Sequence, residues 1–392
     1  MSLPPHCHEH STSTGTRRRP GNTLAPRNGH SDRLAFPHLF ALCLGVAALL
    51  SPLAASARQV TDMIGRQIEV PENIERVLST SPPLAALLYS LAPEKLVGLN
   101  LPLRPGDERY LPASLQELPL VGSVLGHGRA LNSETVLQLR PDVALAWSGE
   151  TIGSSDVEQV IRQFEKTGVP VFFIDLDNLA QWPAAFEMLG ELLGRQARAA
   201  ALANEIRKAL EEVALAVDAV PEAQRPRVYY AQGPDGLATE CHNSFHVEPI
   251  ALAGGHNVHR CAPSSVMGME KVSLEQVLAY DPEFIVVQDP VFLSRLDKAG
   301  GAWRNVRAVR EGKILTVPRT PLNWLDRPPS FMRALGIRWL AGEFHPQRFQ
   351  FHPRRTTREF YRLFFGVTPG EDDLDSLLAT RVALPGDQHS HR

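Results

Sequence analysis

Two segments of this chain repeat one pattern, and that pattern constrains the fold more than any other feature of the sequence. Residues 131–147 and 272–288 align without a gap, so that Glu134 matches Glu275, and both copies carry a proline seven residues later. Each copy predicts a short helix, a break at the X-Pro step and then a buried apolar strand. The chain is therefore predicted to contain two similar α/β lobes.

A long helix is predicted between the two copies, at residues 195–217. Leu202, Ile206, Val213 and Val217 belong to an apolar series with steps of three or four, which places one apolar stripe along a helix. Strands that alternate with helical stretches predict parallel sheets in the lobes. The predicted fold class is thus α/β, with two Rossmann-like lobes joined by a single long helix.

The chain is longer than a single hydrophobic core usually supports, which also favours two domains. The predicted divisions are residues 58–178 for the N-terminal lobe, 179–220 for the linking helices, 221–350 for the C-terminal lobe and 351–392 for a C-terminal extension. Pro328-Pro329 is predicted to open a last helix that runs through Leu340. Beyond Phe365 the chain turns polar and is predicted to be loose.

The first 57 residues are predicted to be a signal peptide rather than part of the fold. Arg33 precedes an apolar run at residues 34–53, and Ala55-Ser56-Ala57 fits the small-x-small pattern of a signal peptidase site. Prolines inside the run argue against a membrane-spanning helix. The sequence therefore predicts export to the periplasm with cleavage after Ala57, and leaves open whether the mature chain is free or tethered.

Two cysteines, Cys241 and Cys261, remain after this processing. In an exported protein an even pair 20 residues apart predicts a disulfide more than a metal site. Acidic residues only slightly outnumber basic ones, with a formal net charge of −3 for the whole chain. That balance gives no sign of a nucleic acid partner.

Short catalytic motifs are missing from the sequence. There is no His-Glu-x-x-His, Cys-x-x-Cys, phosphate-binding glycine loop or Gly-x-Ser-x-Gly. This lowers the expectation of an enzyme. The rival hypothesis is an exported metal-dependent enzyme that uses residues 241–261, because four histidines crowd beside the cysteines there: His242, His246, His256 and His259.

Other candidate residues have both a structural and a functional interpretation. Glu134 and Glu275 lie in the first turns of their helices, where a carboxylate favours the helix dipole, but two matching acids also offer a partner two anchor points. Trp324, with Asp326 and Arg327, lies beyond a strand, where ligands of parallel sheets bind. Trp147 ends the corresponding strand of the first lobe, and each tryptophan is interpreted either as core or as ligand contact.

Five segments in the same order carry a resemblance to a known family. They are residues 60–71, 76–82, 131–147, 252–258 and 272–288. With them the chain resembles, from about residue 60 to residue 348, the periplasmic substrate-binding proteins of ABC transporters that import iron complexes, haem and cobalamin. The resemblance implies two Rossmann-like lobes with the ligand in the cleft between them.

The resemblance also implies partners and site residues. The family docks on an inner-membrane permease, which works with its ATPase, through one glutamate per lobe, and these positions fall on Glu134 and Glu275. It implies a monomer that performs no catalysis and holds no cofactor or metal of its own. The loops that would line the cleft contain Ser81, His127, Arg129, Trp147, His246, Trp324, Asp326 and Arg327.

The cargo is predicted to be a metal chelate, with a ferric siderophore first and cobalamin or haem next. An oxyanion such as molybdate, or a nickel chelate, is the further alternative. Arg129 and Arg327 suit an anionic ligand, whereas the two tryptophans suit a flat organic one. A haem would take His127 or His246 as its axial ligand.

Overall fold

The structure, a computed structural model, describes residues 57–124, 129–149, 152–264, 267–298 and 301–381. The predicted signal peptide therefore lies outside the described residues, apart from its last position. His127, predicted to line the cleft, also lies outside them. Within the described ranges, the structure has no helix long and apolar enough to cross a bilayer.

The N-terminal lobe is built on a parallel sheet with the strand order β3-β4-β5. All six residues of β4 are buried, as expected for the middle strand of a sheet covered on both faces. The elements of this lobe are β1 Ala57–Thr61, β2 Gln67–Pro71, β3 Val77–Ser79, α1 Pro82–Leu91, α2 Ala113–Gln116, α3 Ser133–Leu139, β4 Val143–Ser148, α4 Ser154–Glu165 and β5 Val171–Asp175.

Two helices follow, α5 Trp182–Leu193 and α6 Gln196–Val217. Gly194 ends α5 in the left-handed conformation with φ 67°, which glycine adopts without strain. The predicted long helix is confirmed as α6, and its buried residues include most of the predicted stripe.

Close packing of α5 on α6 requires Gly190. A Cβ at this position would overlap the Cβ of Ala199. We predict that Gly190→Ala lowers the free energy of unfolding by about 1 kcal/mol, because overpacking costs about 1–3 kcal/mol and the better helix propensity of alanine returns about 1 kcal/mol. Urea unfolding measures the change. Adding Ala199→Gly should restore part of the loss, and a double variant with purely additive losses would contradict this packing.

The C-terminal lobe has a second parallel sheet, with the order β11-β10-β6-β8. Its elements are β6 Arg227–Ala231, β7 Ala238–Thr239, α7 Glu248–Leu252, β8 His256–Asn257, β9 Glu270–Lys271, α8 Leu274–Tyr280, β10 Phe284–Val287, α9 Pro290–Lys298, α10 Arg307–Arg310, β11 Ile314–Thr316 and α11 Arg333–Phe344. Two helices of the extension follow, α12 Pro353–Phe365 and α13 Glu371–Leu377.

Both copies of the sequence repeat fold as predicted, as α3 with β4 and α8 with β10. Val136 and Val277, at equivalent positions, are each fully buried under their helices. Both helices end at a residue in the left-handed conformation, Arg140 with φ 46° and Asp281 with φ 42°. The fold is the predicted α/β arrangement of two lobes with parallel sheets, joined by one long helix.

Two predictions about the C-terminal part are wrong. The last helix of the lobe begins at Arg333 rather than at Pro328, because the chain turns first: Asn323 Oδ1 accepts hydrogen bonds from the amides of Leu325 and Asp326, and Arg327 has a positive φ of 61°. Beyond Phe365 the chain is not loose as far as residue 381, since α13 follows there. The predicted loose end of the chain, from residue 382, lies outside the described residues.

Candidate functional site in the cleft between the lobes

The carboxyl ends of the two parallel sheets lie on the two sides of a cleft. Ligands of parallel α/β sheets bind outside this edge. In the N-terminal lobe Ser81 follows β3 and Ser148 ends β4, and in the C-terminal lobe Arg319 follows β11. The rings of Trp147 and Phe245 meet edge-on across the cleft, with their centroids 5.9 Å apart.

Arg104 makes a second contact across the cleft. Its guanidinium donates to the backbone carbonyls of Arg319 and Pro321, the latter at 2.7 Å. Asp107, on the same loop, accepts from Arg104 at 3.2 Å and holds the guanidinium in this direction. The two walls of the cleft therefore touch directly.

The N-terminal wall presents two buried hydroxyls. Ser81 is 2% exposed and Ser148 is 1% exposed. Within the described residues, neither hydroxyl has a hydrogen-bond partner, although Ser81 occupies the N-cap position of α1. Buried polar groups in native proteins are nearly always paired, so these two hydroxyls are candidates for contacts with a ligand.

The C-terminal wall presents a cation without an anion. The Nε atom of Arg319 is buried and has no hydrogen-bond partner, and the part of the chain that the structure describes provides no carboxylate within ion-pair distance of Arg319. Burial lowers the pKa of Arg319, and the positive charge of Arg104 lowers it further, against the raising influence of Asp289. A guanidinium stays charged even so. This arrangement is suited to receive a negative charge.

Arg327, by contrast, is already neutralised. Its guanidinium donates to Glu240 Oε1 at 2.5 Å and to the carbonyl of Met267 at 2.8 Å. Glu240 is fully buried and also accepts from the amide of Met269. Arg327 thus ties the loop around residue 267 to the lobe, and its charge is less available to a ligand than that of Arg319.

Asp326 and His246 form a buried pair. Asp326 Oδ2 lies 2.7 Å from His246 Nδ1, and Asp326 Oδ1 accepts from Arg333 at 3.3 Å. Burial opposes ionisation of Asp326, but pairing with His246, Arg333 and Arg327 holds its pKa below the usual value. The carboxylate therefore fixes the orientation of the imidazole through its Nδ1 atom. Asp326 itself is fully buried.

The two predicted tryptophans lie in different environments. Trp147 is 8% exposed at the cleft, and its indole nitrogen donates to Asp177 Oδ1 at 3.1 Å. Trp324 is fully buried, donates to the hydroxyl of Tyr361 at 3.3 Å and packs edge-on against Trp339. This placement favours core packing for Trp324 and a cleft position for Trp147.

The structure brings Ser81, Trp147 and His246 to the cleft region, and Arg129 lies exposed on a loop of the N-terminal lobe. Arg319 was not among the residues predicted from the sequence. Its signal in the sequence was its position, three residues after the strand that ends at Thr316, which is the same argument that selected Arg327.

The predicted disulfide between Cys241 and Cys261 is confirmed. A ring nitrogen of His259 and both sulfur atoms lie within 4.8 Å of one another. The rival hypothesis of a metal-dependent enzyme needs both sulfurs as free thiolates, and the bond removes them. The disulfide instead staples the loop that carries His246.

Loss of this disulfide should destabilise the protein. We predict that the double variant Cys241→Ser with Cys261→Ser loses about 3 kcal/mol in free energy of unfolding, because the bond closes a loop of roughly 20 residues in the unfolded chain. Urea unfolding measures the loss, and reduced wild-type protein should behave like the variant. Thiol titration of denatured, unreduced protein from residue 58 onward should detect no free thiol, and two reactive thiols there would contradict the bond.

Glu134 and Glu275 are both exposed in the first turns of equivalent helices, α3 and α8. Hydrogen bonds from its own backbone amide and from the Ser273 hydroxyl lower the pKa of Glu275. Side chains cap both helices at the N-terminus, Asn132 for α3 and Ser273 for α8. Each lobe therefore presents one carboxylate on a rigid, capped helix.

Two arginines that the sequence analysis missed support these helices. Arg76 donates to the carbonyl of Leu139 at the end of α3, and Arg227 donates to the carbonyl of Tyr280 at the end of α8. A cation at the last carbonyls satisfies orphan acceptors and complements the dipole. The internal repeat therefore extends to an arginine at the beginning of one sheet strand in each lobe, just before β3 in the first lobe and as the first residue of β6 in the second.

Comparison with known proteins gives consistent matches. Residues 106–321 match the family model described as periplasmic binding protein. A solved ABC transporter solute binding protein from Sulfurospirillum deleyianum is 37% identical, covers 82% of this chain and 99% of its own, and superposes with a TM-score of 0.77.

Two curated relatives are more distant. The molybdate-binding protein MolA of Haemophilus influenzae is 26% identical over 366 residues, which is 84% of this chain and 97% of the relative. The vitamin B12-binding protein of Yersinia pestis is 27% identical over 256 residues, or 64% of this chain and 80% of the relative.

Proposed function

We propose that this chain, which belongs to the periplasmic binding protein family of ABC importers, captures a small metal oxyanion such as molybdate in the cleft between its lobes and delivers it to its transporter. The relatives are binding proteins rather than enzymes. The observation that carries the proposal is Arg319, a partly buried cation without an anionic partner in the described structure, placed at the carboxyl edge of a parallel sheet.

The chemistry of the walls suits a tetrahedral oxyanion. Its four oxygens accept hydrogen bonds, and the walls offer the donors of Arg319 and the hydroxyls of Ser81 and Ser148. Charge-assisted hydrogen bonds from a guanidinium are roughly twice as strong as neutral ones. The molybdate-binding relative, which matches along most of both chains, supports the same ligand class.

The contacts across the cleft favour a compact ligand over a bulky one. Trp147 meets Phe245 directly, and Arg104 reaches the carbonyls of Arg319 and Pro321. Such contacts leave little space for a ferric siderophore, which the sequence analysis ranked first, or for cobalamin. We therefore rank the oxyanion above the chelates as the ligand, and the titration below includes the chelates as alternative ligands.

Glu134 and Glu275 are proposed to dock the loaded protein on its permease. Both carboxylates are exposed and well separated in sequence, and each is held on a capped helix at an equivalent position of its lobe. This fits a partner with two matching cationic pockets. Delivery would then use a face of the protein that takes no part in holding the ligand.

Titration of the protein from residue 58 onward tests the proposal. Calorimetry and tryptophan fluorescence, with Trp147 at the cleft as reporter, should give saturable one-to-one binding of molybdate and none of Ni²⁺. Sulfate and phosphate serve as anion controls, and ferric siderophores, haem and cobalamin serve as bulky ones. Binding of a bulky chelate alone would overturn the oxyanion proposal, and absence of binding across the panel would contradict the proposed function.

A further inference from the structure

The C-terminal extension is an integral part of the fold. In α12 (Pro353–Phe365) the residues Phe360 and Phe364 are buried, and the ring of Phe364 stacks on Phe331 with centroids 4.5 Å apart. The backbone amide of Thr316, in β11, donates to the carbonyl of Thr380 beyond α13. The extension therefore packs on the same lobe that carries Arg319.

One residue of α12 contacts the segment that carries Arg319. Tyr361 is fully buried, and its hydroxyl donates to the backbone carbonyl of Thr320, the neighbour of Arg319. The same hydroxyl accepts from the indole nitrogen of Trp324 at 3.3 Å. A single phenol thus fixes two points of the segment 318–327.

The extension also reaches the N-terminal lobe. The ring of Tyr361 packs edge-on against Tyr110, with centroids 5.3 Å apart, and Arg109 pairs with Asp373 of α13 at 2.9 Å. Burial raises the pKa of Tyr110 to about 12, helped by the negative charge of Asp373. Tyr110 and Arg109 lie in the same loop as Arg104, which contacts the opposite wall of the cleft.

The two walls of the cleft are therefore connected in two ways. Arg104 joins them directly, through the carbonyls of Arg319 and Pro321. Helices α12 and α13 join them from behind, through Tyr361 and Asp373. Tyr361 and Asp373 themselves lie outside the carboxyl edges of the sheets, so this second connection can be changed without replacing a residue proposed to contact the ligand.

We propose that the C-terminal helices set the geometry of the ligand cleft, with Tyr361 as a positioning residue for Arg319. The inference rests on the proposed function, because it names what holds that cleft in shape. Without the hydroxyl, the carbonyl of half-buried Thr320 loses this donor, and the segment gains freedom that ligand binding must remove. Ligand affinity should then depend on a helix that does not contact the ligand.

The test compares two conservative variants. Tyr361→Phe removes the hydroxyl in question. Tyr229→Phe is the matched control, because Tyr229 is also fully buried and its hydroxyl donates to a backbone carbonyl, that of Gly236, at 2.7 Å. Molybdate affinity and dissociation rate, urea unfolding, and hydrogen exchange of residues 102–112 and 318–327 without ligand are measured for each.

We expect Tyr361→Phe to weaken molybdate binding by about tenfold, mainly through faster dissociation, and to speed exchange in both segments. Tyr229→Phe should lose similar stability and leave affinity and exchange in these segments unchanged. Equal effects of the two variants, or none from Tyr361→Phe, would overturn the proposal. Should molybdate fail to bind wild-type protein, the proposed function fails, while the exchange comparison still decides whether Tyr361 holds the two segments.

Discussion

Replacement of both Glu134 and Glu275 by arginine is expected to abolish molybdate import while leaving molybdate affinity unchanged. Both carboxylates are exposed on capped helices, α3 and α8, and neither helix contributes a residue to the proposed ligand contacts. Charge reversal places like charges against a cationic partner at two points at once. Such juxtapositions cost several kcal/mol, so we expect import to fall by more than about a hundredfold.

Uptake of labelled molybdate by cells that carry the cognate transporter measures this effect, with calorimetry of the purified variant beside it. A variant with Glu165→Arg and Glu211→Arg is the matched control, since both residues are exposed and the change in net charge is the same. Import should survive in the control. Loss of ligand affinity in the Glu134 and Glu275 variant would instead assign these acids a structural role.

Replacement of Arg319 by methionine is the second change with a large expected effect. Removing one partner of a buried charge pair costs about 2–5 kcal/mol, so molybdate affinity should fall by about thirtyfold or more. The ligand-free variant should be at least as stable as wild-type protein, because the substitution removes a desolvated charge that has no anion among the described residues. Calorimetry and urea unfolding measure the two quantities.

Arg338→Met is the control for this second change. Arg338 is also buried, but Glu205 and Glu212 of α6 accept from it at 2.6 and 2.8 Å. Its removal should deprive Glu205 and Glu212 of this guanidinium, with Lys208 still 3.8 Å from Glu212, and should lower stability while molybdate affinity stays intact. A ligand-binding arginine should lose affinity without losing stability when it is replaced, whereas a structural arginine should lose stability without losing affinity. If Arg319→Met is destabilised and binds molybdate normally, Arg319 does not bind the ligand.

The repeated helix–strand units and the linking helix could be predicted from the sequence because their signals are local. An N-cap residue, a buried valine and an X-Pro step fall at equivalent positions around Glu134 and Glu275, and α6 carries its apolar stripe within one helix. The disulfide followed from the number of cysteines and from the predicted export.

The cleft could be predicted only in outline. The position of Arg327 and that of Arg319 satisfy the same rule, and what separates them is the buried acid Glu240, which comes from a distant loop and neutralises only Arg327. Trp324 likewise became a core residue because Tyr361 and Trp339 pack around it. Contacts between residues far apart in sequence decide these roles.

The C-terminal extension was underestimated for a similar reason. Helix α12 shows an apolar face in its own sequence, because Phe360, Tyr361, Phe364 and Phe365 recur at steps of three or four. The contacts of this face with Phe331 and Tyr110 join residues far apart in sequence and could not be predicted.

Anomalous diffraction from crystals of the protein grown with molybdate locates the bound ligand. We expect one strong molybdenum peak in the cleft, within hydrogen-bonding distance of the Arg319 guanidinium and close to the hydroxyls of Ser81 and Ser148. A peak beside His259 and the disulfide, or a ligand density that leaves Arg319 without a contact, would contradict it.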